Sequence, residues 1–375
     1  MIQPRKWWQD SYKFKILDII MIIPYKKLGV MLLTAAVLLG GGLTLSSFKK
    51  EKRFKVTENK AQKRVDITID GKPFTSYIYP DELMKPVLYP IQTATGTFVT
   101  RGWPMDPRPG ERVDHPHHVG LWFNYGNVNG LDFWNNSTAI APEKKSGYGT
   151  IKHVSVNKMV AQDDRAELTV TKHWQKPDAT NLLREDTKYT FTDNGGQRAI
   201  EMVVKLTALK EDVSFEDNKE GLIGIRVARE LEHPSDKPEK FTDANGLETD
   251  VAKLNNYGVT GKYHSSEGID GDAVWATRAK WMNLNGKVKD EAVSLVIIDH
   301  PENVGYPTYW HARGYGLFAA NPLGQKEFSK GKETLDFKLK AGQSVVFKYK
   351  VLINAGANLS DEQVNEAFKT FSAVK

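Results

Sequence analysis

The chain has no cysteine among its 375 residues, which excludes disulfides, thiolate metal sites and a cysteine nucleophile. It has no G-x-S-x-G elbow, phosphate-binding loop, dinucleotide fingerprint or H-E-x-x-H helix, so the familiar serine hydrolases, nucleotide enzymes and zincins are excluded too. The net charge of +6 is unevenly spread: residues 1–53 hold ten Lys and Arg against three Asp and Glu. That segment is +7, which leaves −1 for the rest, so the body has no basic footprint for nucleic acid.

Long apolar runs are confined to the N-terminus. Leu28 to Leu39 is unbroken and follows Lys26 and Lys27 directly, which is the order of an export signal. Extended to Leu45, the uncharged stretch is just long enough to cross a bilayer. Residues 1–50 are therefore expected to be a signal peptide or an uncleaved membrane anchor, and the body is expected to be exported, with membrane contact only through this segment.

The body, residues 54–375, shows a period of two residues. Val65, Ile67 and Ile69 alternate with polar residues, and similar runs recur through Val346–Ile353. About ten to sixteen such runs predict an all-β protein, a single large antiparallel β-sandwich. A division into two domains near 210–220 is the less favoured alternative. One short helix is expected at the C-terminus, where Ser360 and Gln363 form a capping-box pattern.

The densest polar group is a histidine cluster at Asp114–His118 (DHPHH), followed by Trp122, Asp132 and Trp134. If the segment is extended, His115 and His117 point to one side and His118 to the other, so two metal ligands on one strand are geometrically reasonable. Asp132 or His311 would be candidates for the third. The alternative is that the histidines only hydrogen-bond turns around Pro116.

A second polar segment runs from Asp299 to Asn321 and mixes Trp310 with His311 and Arg313. Flat aromatic faces stack on the C–H faces of sugars, while histidine, arginine and asparagine bind hydroxyl groups. This composition is typical of a sugar site, although the aromatics could equally belong to the core.

A third candidate is the end of the strand GLIGIRVARELEHP. The even spacing of Arg226, Glu230 and Glu232 would place them on one face of a strand. A carboxylate beside an arginine stays ionised and could serve as a base; an arginine and glutamate ladder on a solvent face is the alternative.

The segments DHPHHVGLWFNYGNVNGLDFW, GLIGIRVARELE and HPENVGYPTYWHARGYGLFAANPLG resemble the bacterial family labelled "methane oxygenase PmoA" over about residues 60–355. The resemblance implies an exported protein of carbohydrate metabolism, located in the periplasm or cell envelope and anchored to the inner membrane if the N-terminal segment is not cleaved. It also implies a large sandwich similar to that of galactose mutarotases. No catalytic role is carried over from those enzymes, because their motifs do not match residue by residue.

The sequence thus predicts a carbohydrate-active protein, with a sugar or sugar-derived small molecule as its partner and one pocket joining the first two segments. His117 or His311 is expected as acid and Glu230 or Asp132 as base. The expected substrate-binding residues are His115, His118, Trp122, Trp134, Arg226, Trp310, Arg313 and Asn321. No metal ligand is assigned and any cofactor is left open.

Two alternatives use the same residues. The first is a glycan-binding protein of the cell envelope without catalysis. The second is a metal-dependent oxygenase, which requires His115, His117 and a carboxylate to converge on one ion.

Overall fold

The computed structural model describes residues 52–252 and 255–373, so the predicted export segment lies outside the described residues. Strands dominate because alternation in the sequence becomes alternation of burial. In the strand Arg64–Ile69, every second side chain is buried. The following turn uses Asp70 at φ 50° and Gly71 at φ 73°, the left-handed pair that a tight hairpin requires.

The twenty strands of the described residues follow in chain order: β1 (Phe54–Asn59), β2 (Arg64–Ile69), β3 (Lys72–Ile78), β4 (Val87–Leu88), β5 (Leu121–Tyr125), β6 (Thr150–Ala161), β7 (Arg165–Gln175), β8 (Asn181–Asn194), β9 (Gln197–Ala208), β10 (Val213–Phe215), β11 (Gly221–Arg226), β12 (Glu239–Thr242), β13 (Glu248–Val251), β14 (Lys262–Ser265), β15 (Trp281–Val288), β16 (Glu291–Asp299), β17 (Tyr309–Arg313), β18 (Leu317–Asn321), β19 (Phe337–Leu339) and β20 (Ser344–Ala355).

Two eight-stranded sheets contain most of these strands. Sheet I has the order β1-β2-β3-β4-β5-β11-β18-β17, and sheet II has the order β14-β15-β16-β20-β9-β8-β7-β6. Every ladder in the two sheets is antiparallel. Two small ribbons, β10 with β19 and β12 with β13, complete the strand pairing of the described residues.

The two sheets pack face to face. Phe123 of sheet I lies 6.4 Å from Trp174 and 5.9 Å from Phe347 of sheet II, measured between ring centroids. One large cluster of buried apolar side chains fills the space between the sheets. The predicted antiparallel β-sandwich is therefore confirmed.

Helices are short in the described residues. Helix α1 (Gln325–Phe328) and three 3₁₀ turns (Pro142–Gly147, Arg229–Leu231 and Gly271–Val274) lie in connections. Helix α2 (Asp361–Ser372) begins at Ser360 with the predicted capping box to Gln363 and packs Val364 and Phe371 on sheet II, so the expected C-terminal helix is confirmed. No helix of the described residues is long and apolar enough to cross a membrane.

Candidate functional site

The two polar segments meet on the face of sheet I that points away from the core. The strand register aligns Trp122, Gly224, Ala319 and His311 in one row across four strands. Neighbouring strands are about 4.8 Å apart, so the ends of this row are separated by about 14 Å of backbone. We call this surface the outer-face site. The register brings together residues that lie almost two hundred positions apart in the chain.

Two tryptophans form the floor of the outer-face site. Trp122 and Trp134 pack edge to face at 5.3 Å, and each is only 1% exposed. Glycine is required at position 224 because an added Cβ would lie 2.7 Å from Trp122 and 3.0 Å from Trp134. The rings are covered, so the predicted stacking of a sugar directly on them is wrong for this arrangement.

The predicted substrate-binding role of Trp310 is also wrong for this fold. Its neighbours along β17 alternate between faces, and Trp310 falls on the core face, where its Nε1 donates to the carbonyl of Ala279 at 3.1 Å. It stabilises the sandwich and does not reach the outer-face site.

Asp114 is the anionic centre of the histidine cluster. Its Oδ1 accepts hydrogen bonds from Arg226 at 2.6 Å and from Arg101 at 2.7 Å, and both arginines are fully buried. Oδ2 lies 2.6 Å from Nδ1 of His115. Burial alone would raise the pKa of Asp114, but the Arg226 and Arg101 charges and the His115 hydrogen bond outweigh it and hold this pKa well below its usual range.

The histidines do not lie on an extended strand. His115 has φ 47°, and the His118 amide donates to the His115 carbonyl at 2.9 Å, which closes a turn. His115 and His118 therefore do not point to opposite sides, because their rings stack with centroids 4.8 Å apart. The Tyr315 ring also stacks on His115, with centroids 5.1 Å apart. His118 in turn stacks on Trp122 at 5.1 Å.

His117 lies in a cationic environment. Burial, reinforced by the charge of Lys85, lowers the pKa of His117 to about 2. The ring is neutral at neutral pH, so it cannot deliver a proton from an imidazolium as predicted for the acid.

Lys85 is a site residue that sequence reasoning missed. Its Nζ donates to the carbonyl of His117 at 2.7 Å and lies 5.3 Å from the Trp122 ring centroid. Burial lowers the pKa of Lys85 to about 7, although the charge of Asp132 opposes the shift. A lone lysine between Met84 and Pro86 in an apolar run was the available signal.

At the other end of the row, His311 and Asn321 hold a loop. His311 Nδ1 hydrogen-bonds the carbonyl of Lys219 at 2.9 Å, and Asn321 Nδ2 donates to the carbonyls of Asn218 and Lys219. Burial lowers the pKa of His311 to about 4, against the charge of Glu220. Both side chains thus position the loop, and His311 does not supply the predicted imidazolium acid at neutral pH.

Glu220 is the carboxylate that this loop presents, and the sequence analysis did not select it. Its Oε2 lies 3.7 Å from His311 Nδ1. Burial raises the pKa of Asp132, and Glu220 adds to that shift. Burial also raises the pKa of Tyr315 to about 12, with Glu220 adding to the shift and Arg226 opposing it. Glu220 therefore lies within electrostatic range of both Asp132 and Tyr315.

Asp132 is held by hydrogen bonds, whereas Arg313 is exposed to solvent. Asp132 accepts from the amides of Trp134 and Asn135 and from the Asn135 side chain, so it fixes a turn as well as facing the site. Arg313 is exposed at the edge of sheet I, with its guanidinium 5.2 Å from the Trp275 ring centroid.

Arg226, Glu230 and Glu232 do not share one face of a strand, although their even spacing predicted it. Strand β11 ends at Arg226, and the chain turns into a 3₁₀ helix at Arg229–Leu231, so the even spacing of a strand does not extend to Glu230. Glu232 is the buried carboxylate, with Oε2 at 2.6 Å from both Arg112 and Arg229. Glu230 remains half-buried, apart from these ion pairs, and its predicted role as base has no support in this placement.

The arrangement of possible metal ligands bears on the oxygenase alternative. In the chain from 52 to 252 and from 255 to 373, no three His, Asp or Glu side chains are grouped so that they could hold an ion. His115 and His117 lie 5.6 Å apart between ring centroids, with the rings nearly perpendicular.

A sequence model described as "Family of unknown function (DUF6807)" matches residues 64–369. The chain belongs to the DUF6807 family. The match runs from β2 into α2, so it covers the sandwich except for β1. It does not carry the PmoA label suggested by the sequence motifs. No curated protein matches the DUF6807 chain.

Solved structures similar to the DUF6807 chain include three of sugar-active enzymes. The galactosidase domain of an alpha-galactosidase-sucrose kinase is 8% identical, with a TM-score of 0.34, and the match covers 81% of this chain and 42% of that one. This chain thus spans about two fifths of that relative. A putative aldose 1-epimerase from Escherichia coli K12 is 9% identical (TM-score 0.34; coverage 80% and 98%). The galactose 1-epimerase from Lactobacillus acidophilus is 10% identical (TM-score 0.31; coverage 81% and 98%).

Proposed function

We propose that this DUF6807 protein binds a carbohydrate at the outer-face site and acts on it by proton transfer. The observation that supports the proposal is that Glu220 acts electrostatically on both Asp132 and Tyr315, which come from two other chain segments, and that the rings of His115 and Tyr315 are stacked and partly exposed. A flat ring pair with carboxylates and a hydroxyl beside it suits a ligand that has C–H faces and many hydroxyl groups.

The proton transfer is assigned to Tyr315 and Glu220. The Tyr315 hydroxyl is protonated at neutral pH, as a tyrosine is even before burial raises its pKa to about 12, so it is available as the proton donor. The Glu220 carboxylate, placed by His311 and Asn321, serves as the acceptor. The neutral imidazole of His117 contributes as a hydrogen-bonding group.

The test is turnover and binding of sugars by Glu220→Gln and Tyr315→Phe. Each change removes one proton-transferring group and keeps the shape, so turnover should fall by about 100- to 10,000-fold while the Kd changes little. Glu230→Gln is the matched control, because that carboxylate lies apart from the ion pairs of the site, and it should retain full turnover. Equal activity of all three variants would contradict the assignment.

Carbohydrate binding without catalysis is the second candidate. It is favoured by the three hydrogen bonds that occupy the oxygens of Asp132 and by the neutral state of His117 and His311. Under this candidate the parent protein binds a sugar and turns over none, and Glu220→Gln weakens binding if it has any effect.

Export is part of the same proposal. The apolar run Leu28–Leu39 would carry the sandwich out of the cytoplasm, where polysaccharide fragments are met. Cell fractionation tests it, with replacement of Leu32 and Leu33 by arginine expected to retain the protein in the cytoplasm; unchanged fractionation would contradict it.

A further inference from the structure

The groups packed on the Trp122 indole include hydrogen-bond donors without partners. His118 is one. Arg226 Nη1 lies 3.4 Å from Nδ1 of His118, and since a guanidinium only donates, Nδ1 is the acceptor. Burial holds the pKa of His118 well below its usual range, so the ring is neutral and its one proton is on Nε2. This Nε2 is buried and has no hydrogen-bond partner among the described residues.

Trp122 supplies the second donor. An indole nitrogen can only donate, and Nε1 of Trp122 is buried without a partner in the part of the chain that the structure describes. The Trp122 ring stacks on His118 at 5.1 Å, so the two donors belong to touching rings. Buried donors without partners are uncommon in native proteins and each one costs free energy, which indicates a ligand or solvent acceptor.

Lys85 supplies the third donor and, in its protonated form, a positive charge, which a bound anion would favour. One of its three N–H groups donates to His117, and the ammonium lies over the Trp122 ring. The charge of Asp132 raises the pKa of Lys85 from a distance. Among residues 52–252 and 255–373, no carboxylate forms an ion pair with Lys85 within 4.0 Å. A buried ammonium with one neutral acceptor has capacity for an anion.

We propose that the sugar bound at the outer-face site carries an anionic group, a carboxylate or a sulfate ester, that accepts hydrogen bonds from Lys85, His118 and Trp122. This inference rests on the proposed carbohydrate function and specifies its substrate class. A neutral hydroxyl both donates and accepts, whereas a carboxylate or sulfate only accepts. Donors on three side chains packed together, one of them a lysine, therefore match an acceptor alone.

The experiment is calorimetric titration of the full-length protein. The ligands are oligosaccharides of galacturonate and of sulfated galactose, each beside its neutral counterpart, the methyl ester or the desulfated form, and inorganic sulfate alone. The two anionic series distinguish a carboxylate from a sulfate as the source of the charge. One of the two anionic series is expected to bind at least about 10-fold more tightly than its neutral counterpart. This is the difference in affinity expected when a hydrogen bond to a charged group is lost.

Lys85→Met is the diagnostic variant, and Lys350→Met is its control. Lys350 is a partly buried lysine on β20 of sheet II, paired with Glu201 at 3.0 Å, so its loss removes the same charge elsewhere. Lys85→Met should weaken the anionic sugar by about 10- to 100-fold and leave the neutral counterpart unaffected. Lys85→Arg retains the charge and should restore most of the affinity. Thermal unfolding of each free variant checks that it is folded.

The outcomes separate the two proposals. If neutral and anionic sugars bind equally and Lys85→Met changes neither, the carbohydrate site stands and the anionic ligand is refuted. If inorganic sulfate binds in a manner that depends on Lys85 while no sugar of either series binds, the anion site stands and the carbohydrate function fails. If neither sugars nor sulfate bind, both are refuted.

Discussion

Replacing Asp114 by asparagine removes a carboxylate that two arginines share. Among the described residues it is the only carboxylate within 4 Å of Arg101, and it is the nearer of the two carboxylates that approach Arg226. Arg101 and Arg226 donate to Oδ1 of Asp114 at 2.7 and 2.6 Å, and both guanidinium groups are buried. The next carboxylate, on Glu232, is 4.0 Å from Arg226 and already binds two other arginines. The variant therefore retains the shape of the turn and leaves two buried cations without their closest anion.

The expected loss in the free energy of unfolding is large. Removing one partner of a buried ion pair costs about 3–5 kcal/mol. Asp70→Asn is the matched control, because Asp70 also receives a forked arginine, Arg53, but at the surface, with the two side chains 39% and 55% exposed. An exposed pair contributes about 1 kcal/mol or less. The structure thus predicts a difference of at least about 2 kcal/mol between the two variants.

The assay is urea unfolding followed by tryptophan fluorescence at several pH values. The folded-state pKa of Asp114 lies below its unfolded value, so its contribution is present above about pH 4 and is lost as the pH falls through the folded pKa. The stability difference between wild type and Asp114→Asn should therefore be largest near neutral pH and shrink in acid. A loss no greater than that of Asp70→Asn at pH 7 would refute Asp114 as the required counter-ion.

Two further predictions concern packing and the core. Gly224→Ala places a methyl group 2.7 Å from Trp122, so it should lower the free energy of unfolding by about 1–3 kcal/mol in chemical unfolding. Gly147→Ala is the control, because nothing lies within 4 Å of its added methyl group, and it should change that free energy by no more than about 0.5 kcal/mol. Equal effects of the two variants would contradict the close packing at Gly224. Lys172→Met leaves the carboxylate of Glu185 buried without its cation and should lower the free energy of unfolding by about 3–5 kcal/mol. In thermal unfolding, the double variant with Glu185→Gln should recover part of that loss. If the losses of the two single variants simply add in the double variant, the pairing is contradicted.

The elements that follow local rules could be predicted from the sequence. The period of two around Val65 fixes which side chains are buried, the Asp70-Gly71 pair supplies the backbone angles of a hairpin, and Ser360 with Gln363 begins a helix. Each of these depends on neighbours within a few residues. The sandwich class and the closing helix follow from them.

The electrostatic state of the site was decided by the tertiary structure. His117 and His311 are suitable acids by residue type, but burial beside Lys85 and in sheet I makes both neutral. Trp310 has the composition of a sugar platform, yet the register of β17 turns it into the core. Neither burial nor the face of a strand can be read from residue type alone.

The sequence by itself determined the strands, the turns and the stretches of chain where the polar chemistry is concentrated. Only the tertiary structure decided which of those side chains meet. Strand pairing between β5, β11, β18 and β17 joins segments far apart in the chain. It places Glu220 beside His311, whereas Glu230 lies in a 3₁₀ helix beyond the end of β11. The physical reason is that local conformation depends on adjacent residues, whereas the burial, charge and partners of a side chain depend on contacts that exist only after the sheets have packed.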